Sequence, residues 1–219
     1  MKSEITFKNL QFWIIWTLSG FVIIPFSYLI SLIVVLLVHS AFGFNQMEGG
    51  TYLSQTVMQV AGGAVIGFGT GIYQVMLLKK LFNVSGIWTI SLMAGFAVTE
   101  LIVCIILWQM KINRYELRFI ESNPLPEIFF FSCAGFLSGI LQQRILRKYF
   151  TLSGYWIAAS TVGWGICVAV TLISIWAFIP GAFLYSAITG AVLIWLMRRR
   201  VPEKMTNSVP ESQNAITDL

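Results

Sequence analysis

Glu100 is the one acidic residue inside a long apolar run, "IWTISLMAGFAVTELIVCIILWQM". A carboxylate held away from water is costly and commonly marks an ion or proton route, or a ligand site with a polar partner. Two amides share such surroundings: Gln74 in "GTGIYQVMLLKK" and Gln142 in "LSGILQQRILRK". An amide both donates and accepts, so it can bind a solute or tie two helices together. Glu100, Gln74 and Gln142 are therefore the candidate functional residues. Each also has a plain structural reading. Glu100 can be hydrogen-bonded to a neighbouring Ser, Thr or Gln, and the amides can bridge helices.

The remaining chemistry is sparse. The only histidine, His39, cannot make a two- or three-His metal site, and no His-Glu-x2-His motif is present. Neither a Gly-x-Ser-x-Gly elbow nor a nucleotide-binding signature appears. Cys104, Cys133 and Cys167 form no Cys-x-x-Cys and are odd in number, so they imply no disulfide framework. With paired catalytic groups missing, the expectation is a protein that is not an enzyme and carries no metal or cofactor.

The elements holding these residues follow from composition. Of 219 residues, 57% are apolar and 11% charged, against roughly 25% charged in soluble domains. The apolar runs are too long for barrel strands of about 10 alternating residues, which leaves helices crossing a bilayer. Six spans are expected: Gln11–Val38, Thr56–Leu78, Ile87–Met110, Ile128–Ile145, Tyr155–Trp176 and Phe178–Met197. The fourth is the shortest uncharged run, which Arg144 extends by snorkelling. Pro25 should kink the first span, and Pro180-Gly181 should turn the chain between the fifth and sixth. The first span exceeds the length of a cleaved signal and is read as a retained anchor.

Basic residues set the orientation. Eleven of the fourteen Lys and Arg lie in the N-terminal segment, the second and fourth connections and the C-terminal segment. The positive-inside rule places these in the cytoplasm, giving an inner-membrane protein with both termini cytoplasmic. Residues 1–200 are read as one membrane domain and 201–219 as a disordered cytoplasmic tail. The first outer connection is flexible, and the third, about Lys111 to Glu127, is amphipathic. Contact with anionic lipid heads suits the net charge of +5. The basic residues edge the spans without forming a patch, which speaks against nucleic acid.

The passage "GIYQVMLLKKLFNVSGIW" from Gly71 returns as "GILQQRILRKYFTLSGYW" from Gly139, an offset of 68 residues. Gly67, Gly71, Gln74, Leu78, Lys79, Phe82, Ser85, Gly86, Trp88 and Gly95 correspond to Gly135, Gly139, Gln142, Leu146, Arg147, Phe150, Ser153, Gly154, Trp156 and Gly163. A fainter third copy is divided between the chain ends. Trp13 precedes Gly20-Phe21, while Ser186, Gly190, Met197 and Arg198 follow the returning pattern, with Leu193 in the glutamine's place. The expected unit is a hairpin used three times in parallel orientation, near 9–82, 83–150 and 151–200. Gly63, Gly67, Gly71, Gln74 and Leu78 form one stripe of a helix. Gly67, Gly71, Gly135, Gly139 and Gly190 are thus expected at helix contacts, where small residues let backbones approach in lipid. Trp13, Trp88 and Trp156 are expected as interfacial anchors. Places equivalent to Glu100 hold Pro25 and Val168, so no ring of charge forms.

Across roughly residues 60–200, this combination resembles a group of small bacterial multispanning membrane proteins in which a Gly-x3-Gly-x2-Gln-x3-Leu-basic helix precedes a Trp-bearing helix. The resemblance implies a helical membrane fold and supplies no activity and no site residue. Two functional readings remain. One is a non-catalytic bundle that binds a protein partner, a second copy of itself or lipid. The other is a small-solute transporter or channel using Glu100.

Overall fold

Each apolar run folds as one helix, the conformation that pairs backbone N–H and C=O groups within a single span. In chain order they are α1 (Lys2–Ala41), α2 (Tyr52–Leu78), α3 (Ile87–Gln109), α4 (Leu125–Leu146), α5 (Gly154–Thr171) and α6 (Phe178–Arg198). The structure, a computed structural model, describes residues 2–41, 52–82, 84–109, 125–171 and 178–199. All six helices are long and apolar enough to cross a membrane, and no strand occurs among the described residues. Among the described residues the protein is an all-helical bundle of six membrane-length helices. The first outer connection, most of the third and the tail from 201 lie outside the described residues.

The fourth run is a full span. Its helix of 22 residues starts at Leu125, ahead of the expected Ile128, and takes Arg144 into its last turn. α1 passes through Pro25 as one helix of 40 residues, a rise of about 60 Å against a hydrocarbon layer of roughly 30 Å. The turn expected at Pro180-Gly181 is corrected: both residues lie in the first turn of α6. Proline is tolerated there because first-turn N–H groups lack an intrahelical partner anyway. Gly181 lets α5 come close, since a Cβ on it would lie 2.5 Å from the Cys167 carbonyl oxygen.

Each helix packs against its chain neighbours, and α6 packs against α1, which closes a ring. The most extensive pairings are α2 with α3 and α4 with α5. These join the returning helix of one hairpin to the outgoing helix of the next. The glycine stripe lies at these contacts. A Cβ on Gly67 would sit 2.7 Å from the Leu92 carbonyl oxygen, and one on Gly71 would sit 2.6 Å from Thr89 Cα. On α4, Gly135 abuts the Ser160 carbonyl, and a Cβ on Gly139 would be 3.0 Å from Ile157 Cα. On α6, a Cβ on Gly190 would meet Trp16 Cδ1 at 2.8 Å and Trp13 Cδ1 at 3.0 Å. α1 leaves Leu18, Val22, Phe26, Leu29, Ile33 and Leu36 exposed, as expected of a helix that is apolar around its circumference in lipid.

Candidate functional site at the centre of the ring

Two loops with the same backbone geometry build the site. After α2, Phe82 N donates to the Leu78 carbonyl at 2.8 Å and Trp88 N to that of Ser85 at 3.1 Å. After α4, Phe150 N donates to Leu146 at 2.8 Å and Trp156 N to Ser153 at 3.0 Å. Each loop folds a tryptophan back over the preceding glutamine. Trp88 Nε1 donates to Gln74 Oε1 at 2.8 Å, and Trp156 Nε1 donates to Gln142 Oε1 at 2.8 Å.

The two amides also meet each other. Gln142 Nε2 donates to Gln74 Oε1 at 3.4 Å, and Gln74 Nε2 donates to the Tyr185 hydroxyl at 3.2 Å. The Tyr73 hydroxyl lies 3.5 Å from Ser186 Oγ. These bonds join α2, α4 and α6, which are not neighbours around the ring, so they cross its middle. Gln74, Gln142 and Ser186 are all 0% exposed. Aromatic rings complete the filling. Trp156 touches Trp88 at 5.4 Å and Trp16 at 6.3 Å between centroids, and Trp16 meets Tyr73 at 5.7 Å.

The expected anchoring role of Trp88 and Trp156 is corrected by this arrangement. Both are 0% exposed, and their indole N–H groups are engaged by the amides. The third copy differs for a reason visible in its sequence. Leu193 offers no acceptor, so Trp13 donates instead to the Ala187 carbonyl at 3.1 Å and stays half-buried. Trp16, one turn further along α1, enters the centre in its stead and donates to Thr189 Oγ1 at 3.2 Å.

Gln74 and Gln142 are thus brought together, and Glu100 is not brought to them. Glu100 is half-buried on α3, its Cγ 3.0 Å from where a Cβ on Gly63 would lie. Gly63 precedes Gln74 by about 16 Å along α2. Sequence reasoning missed Tyr185, Tyr73 and Trp16. Tyr185 stands where the other copies carry Ile66 and Ala134, so no pattern marked it.

The central network contains amides, phenols, hydroxyls and indoles, and no carboxylate, imidazole or cation. It can exchange hydrogen bonds with a neutral guest or hold helices together. Among the described residues, four buried polar atoms find no hydrogen-bond partner: Thr17 Oγ1, Thr70 Oγ1, Ser160 Oγ and Trp164 Nε1. Thr17 adjoins Trp16, Thr70 is one turn from Gln74, and Ser160 is one turn from Trp156. Among the described residues no group of three or more His, Cys, Asp or Glu could hold a metal ion. The described cations gather at the opposite end from the α3 and α5 C-termini: Lys79, Lys80, Arg144, Arg147, Lys148, Arg198 and Arg199 are all exposed there. Comparison with protein-family models, curated proteins and solved structures finds no match.

Proposed function

We propose that this chain is a non-catalytic module of the bacterial inner membrane that works by binding a protein or lipid partner, with its basic end and both termini in the cytoplasm. One observation carries the reading. The two amides that were candidates to line a route are bonded to each other, to two indoles and to a phenol, and three tryptophans fill the space around them. Such a centre works as a hydrogen-bonded plug that stiffens the ring. The matching loops and Trp–Gln bonds support reading the three hairpins as copies of one unit, joined through the passage that the chain repeats.

A small-solute carrier that uses Glu100 on its route past the centre is the second reading. It is favoured by the four unpartnered polar atoms beside the plug, which a neutral polar guest would satisfy when the plug parts. Growth of cells that depend on the protein distinguishes the two readings. Glu100→Gln keeps size and hydrogen-bonding capacity without ionising. The module reading expects this variant to support growth across pH, and expects Glu100→Leu to alter melting temperature. A correctly folded Glu100→Gln protein that no longer supports growth overturns the module reading in favour of the carrier.

A further inference from the structure

The ring has one junction unlike the others. Between α2 and α3, and between α4 and α5, a loop crosses the basic end and buries its Phe82 and Val84, or its Phe150. Between α6 and α1, the last and first of the described helices, no such loop occurs among the described residues. A cleft of about 410 Å³ opens there, lined by Leu10, Trp13, Ala191, Ile194, Trp195 and Arg198. Its walls are mainly apolar. The Trp13 N–H is already given to the Ala187 carbonyl, so the indole presents only its ring. Arg198 supplies the cleft's charge. Arg199 stands beside it, its guanidinium carbon 4.6 Å from the centroid of the Trp195 ring, and Trp195 is itself braced by Tyr155 at 4.9 Å.

We infer that this cleft is a binding site for an anionic phospholipid, a proposal that names the partner class within the module reading and rests on it. Apolar walls accept the start of an acyl chain. The Arg198 guanidinium in the cleft, with Arg199 over the neighbouring Trp195 ring, offers fork-shaped donors that match a phosphate, at the end of the bundle where the span meets the headgroups. A free phosphate would gain nothing from the walls, and a zwitterionic lipid would gain less from the cations. The site exists because the third copy departs from the pattern: Leu193 releases Trp13 from the centre, and no described loop crosses this junction.

Native mass spectrometry of the detergent-purified full chain tests this, with dioleoyl phosphatidylglycerol and dioleoyl phosphatidylcholine added in equal amounts. Wild type is expected to retain one phosphatidylglycerol in preference to phosphatidylcholine. Arg198→Gln with Arg199→Gln should reduce that preference by roughly five-fold per cation. Ala191→Trp, which fills the cleft, should lower retention of both lipids. Arg144→Gln with Arg147→Gln removes two exposed cations at a loop-covered junction and should leave the preference intact. Equal retention of the two lipids by wild type, or equal loss of preference in both double variants, overturns the cleft assignment. Either outcome leaves the module reading standing, since that reading fails on growth of the Glu100→Gln variant instead.

Discussion

At the scale of single residues, the centre of this protein rests on buried hydrogen bonds between amides and indoles. Gln142→Leu copies the residue found in the third unit at Leu193, yet it leaves Trp156 Nε1 buried without an acceptor. The expected cost is about 1–3 kcal/mol, that of an orphaned buried donor. Trp156→Phe in the same chain removes the orphan as well as its partner. The double variant should then melt above the level expected from adding the two single effects, because the two residues share one bond. Thermal unfolding in detergent checks this, and strict additivity would show that the bond carries no coupling. Gln74 should be less forgiving than Gln142, because its amide serves Trp88, Gln142 and Tyr185 together.

At the scale of helices, the glycines divide by what faces them. Gly67 and Gly135 face backbone carbonyls of the adjacent helix, and backbone cannot move aside as a flexible side chain can. Gly67→Ala and Gly135→Ala should therefore each lower stability by about 1–3 kcal/mol through overpacking, and the leucine variants by more. Gly86 has nothing within 4 Å of a Cβ, so Gly86→Ala should melt with wild type. A Gly67→Ala protein as stable as Gly86→Ala would mean that the Gly67 contact between α2 and α3 has room for a methyl group. The i, i+4 spacing of these glycines was legible in the sequence. Which helix they meet was not, because small residues at that spacing fit any apolar neighbour.

At the scale of the whole molecule, orientation is the open physical question that charge answers. If the basic end is cytoplasmic, a cysteine at exposed Thr151 or Ser85 should resist an impermeant thiol reagent in intact cells. One at exposed Gln109, at the other end of α3, should react. The background would carry alanine at Cys104, Cys133 and Cys167. Strong labelling at 151 and 85 with none at 109 would reverse the topology, and with it the leaflet assigned to the lipid cleft.

Taken alone, the sequence determined the helical class and the number of long apolar helices, because length and hydropathy follow directly from what a bilayer demands of a backbone. Ends were less legible: α1 begins at Lys2, ahead of the expected Gln11, and the expected ends at Met110 and Trp176 lie outside the described residues. It also marked Gln74 and Gln142, since an amide repeated in apolar surroundings has few uses. Tertiary structure decided what those residues do. Trp88 and Trp156 read as interfacial anchors in a linear chain, where an indole near a span's end suits the headgroups. Closure of the ring turned them inward, because an amide 14 residues earlier stood within reach of each indole N–H. The same closure brought α6 beside α1, with Trp16 and Tyr185 in the centre and a cleft left at the seam. Those contacts join residues more than 100 positions apart or on helices that no loop connects, and helical periodicity carries no information about which distant face will meet which.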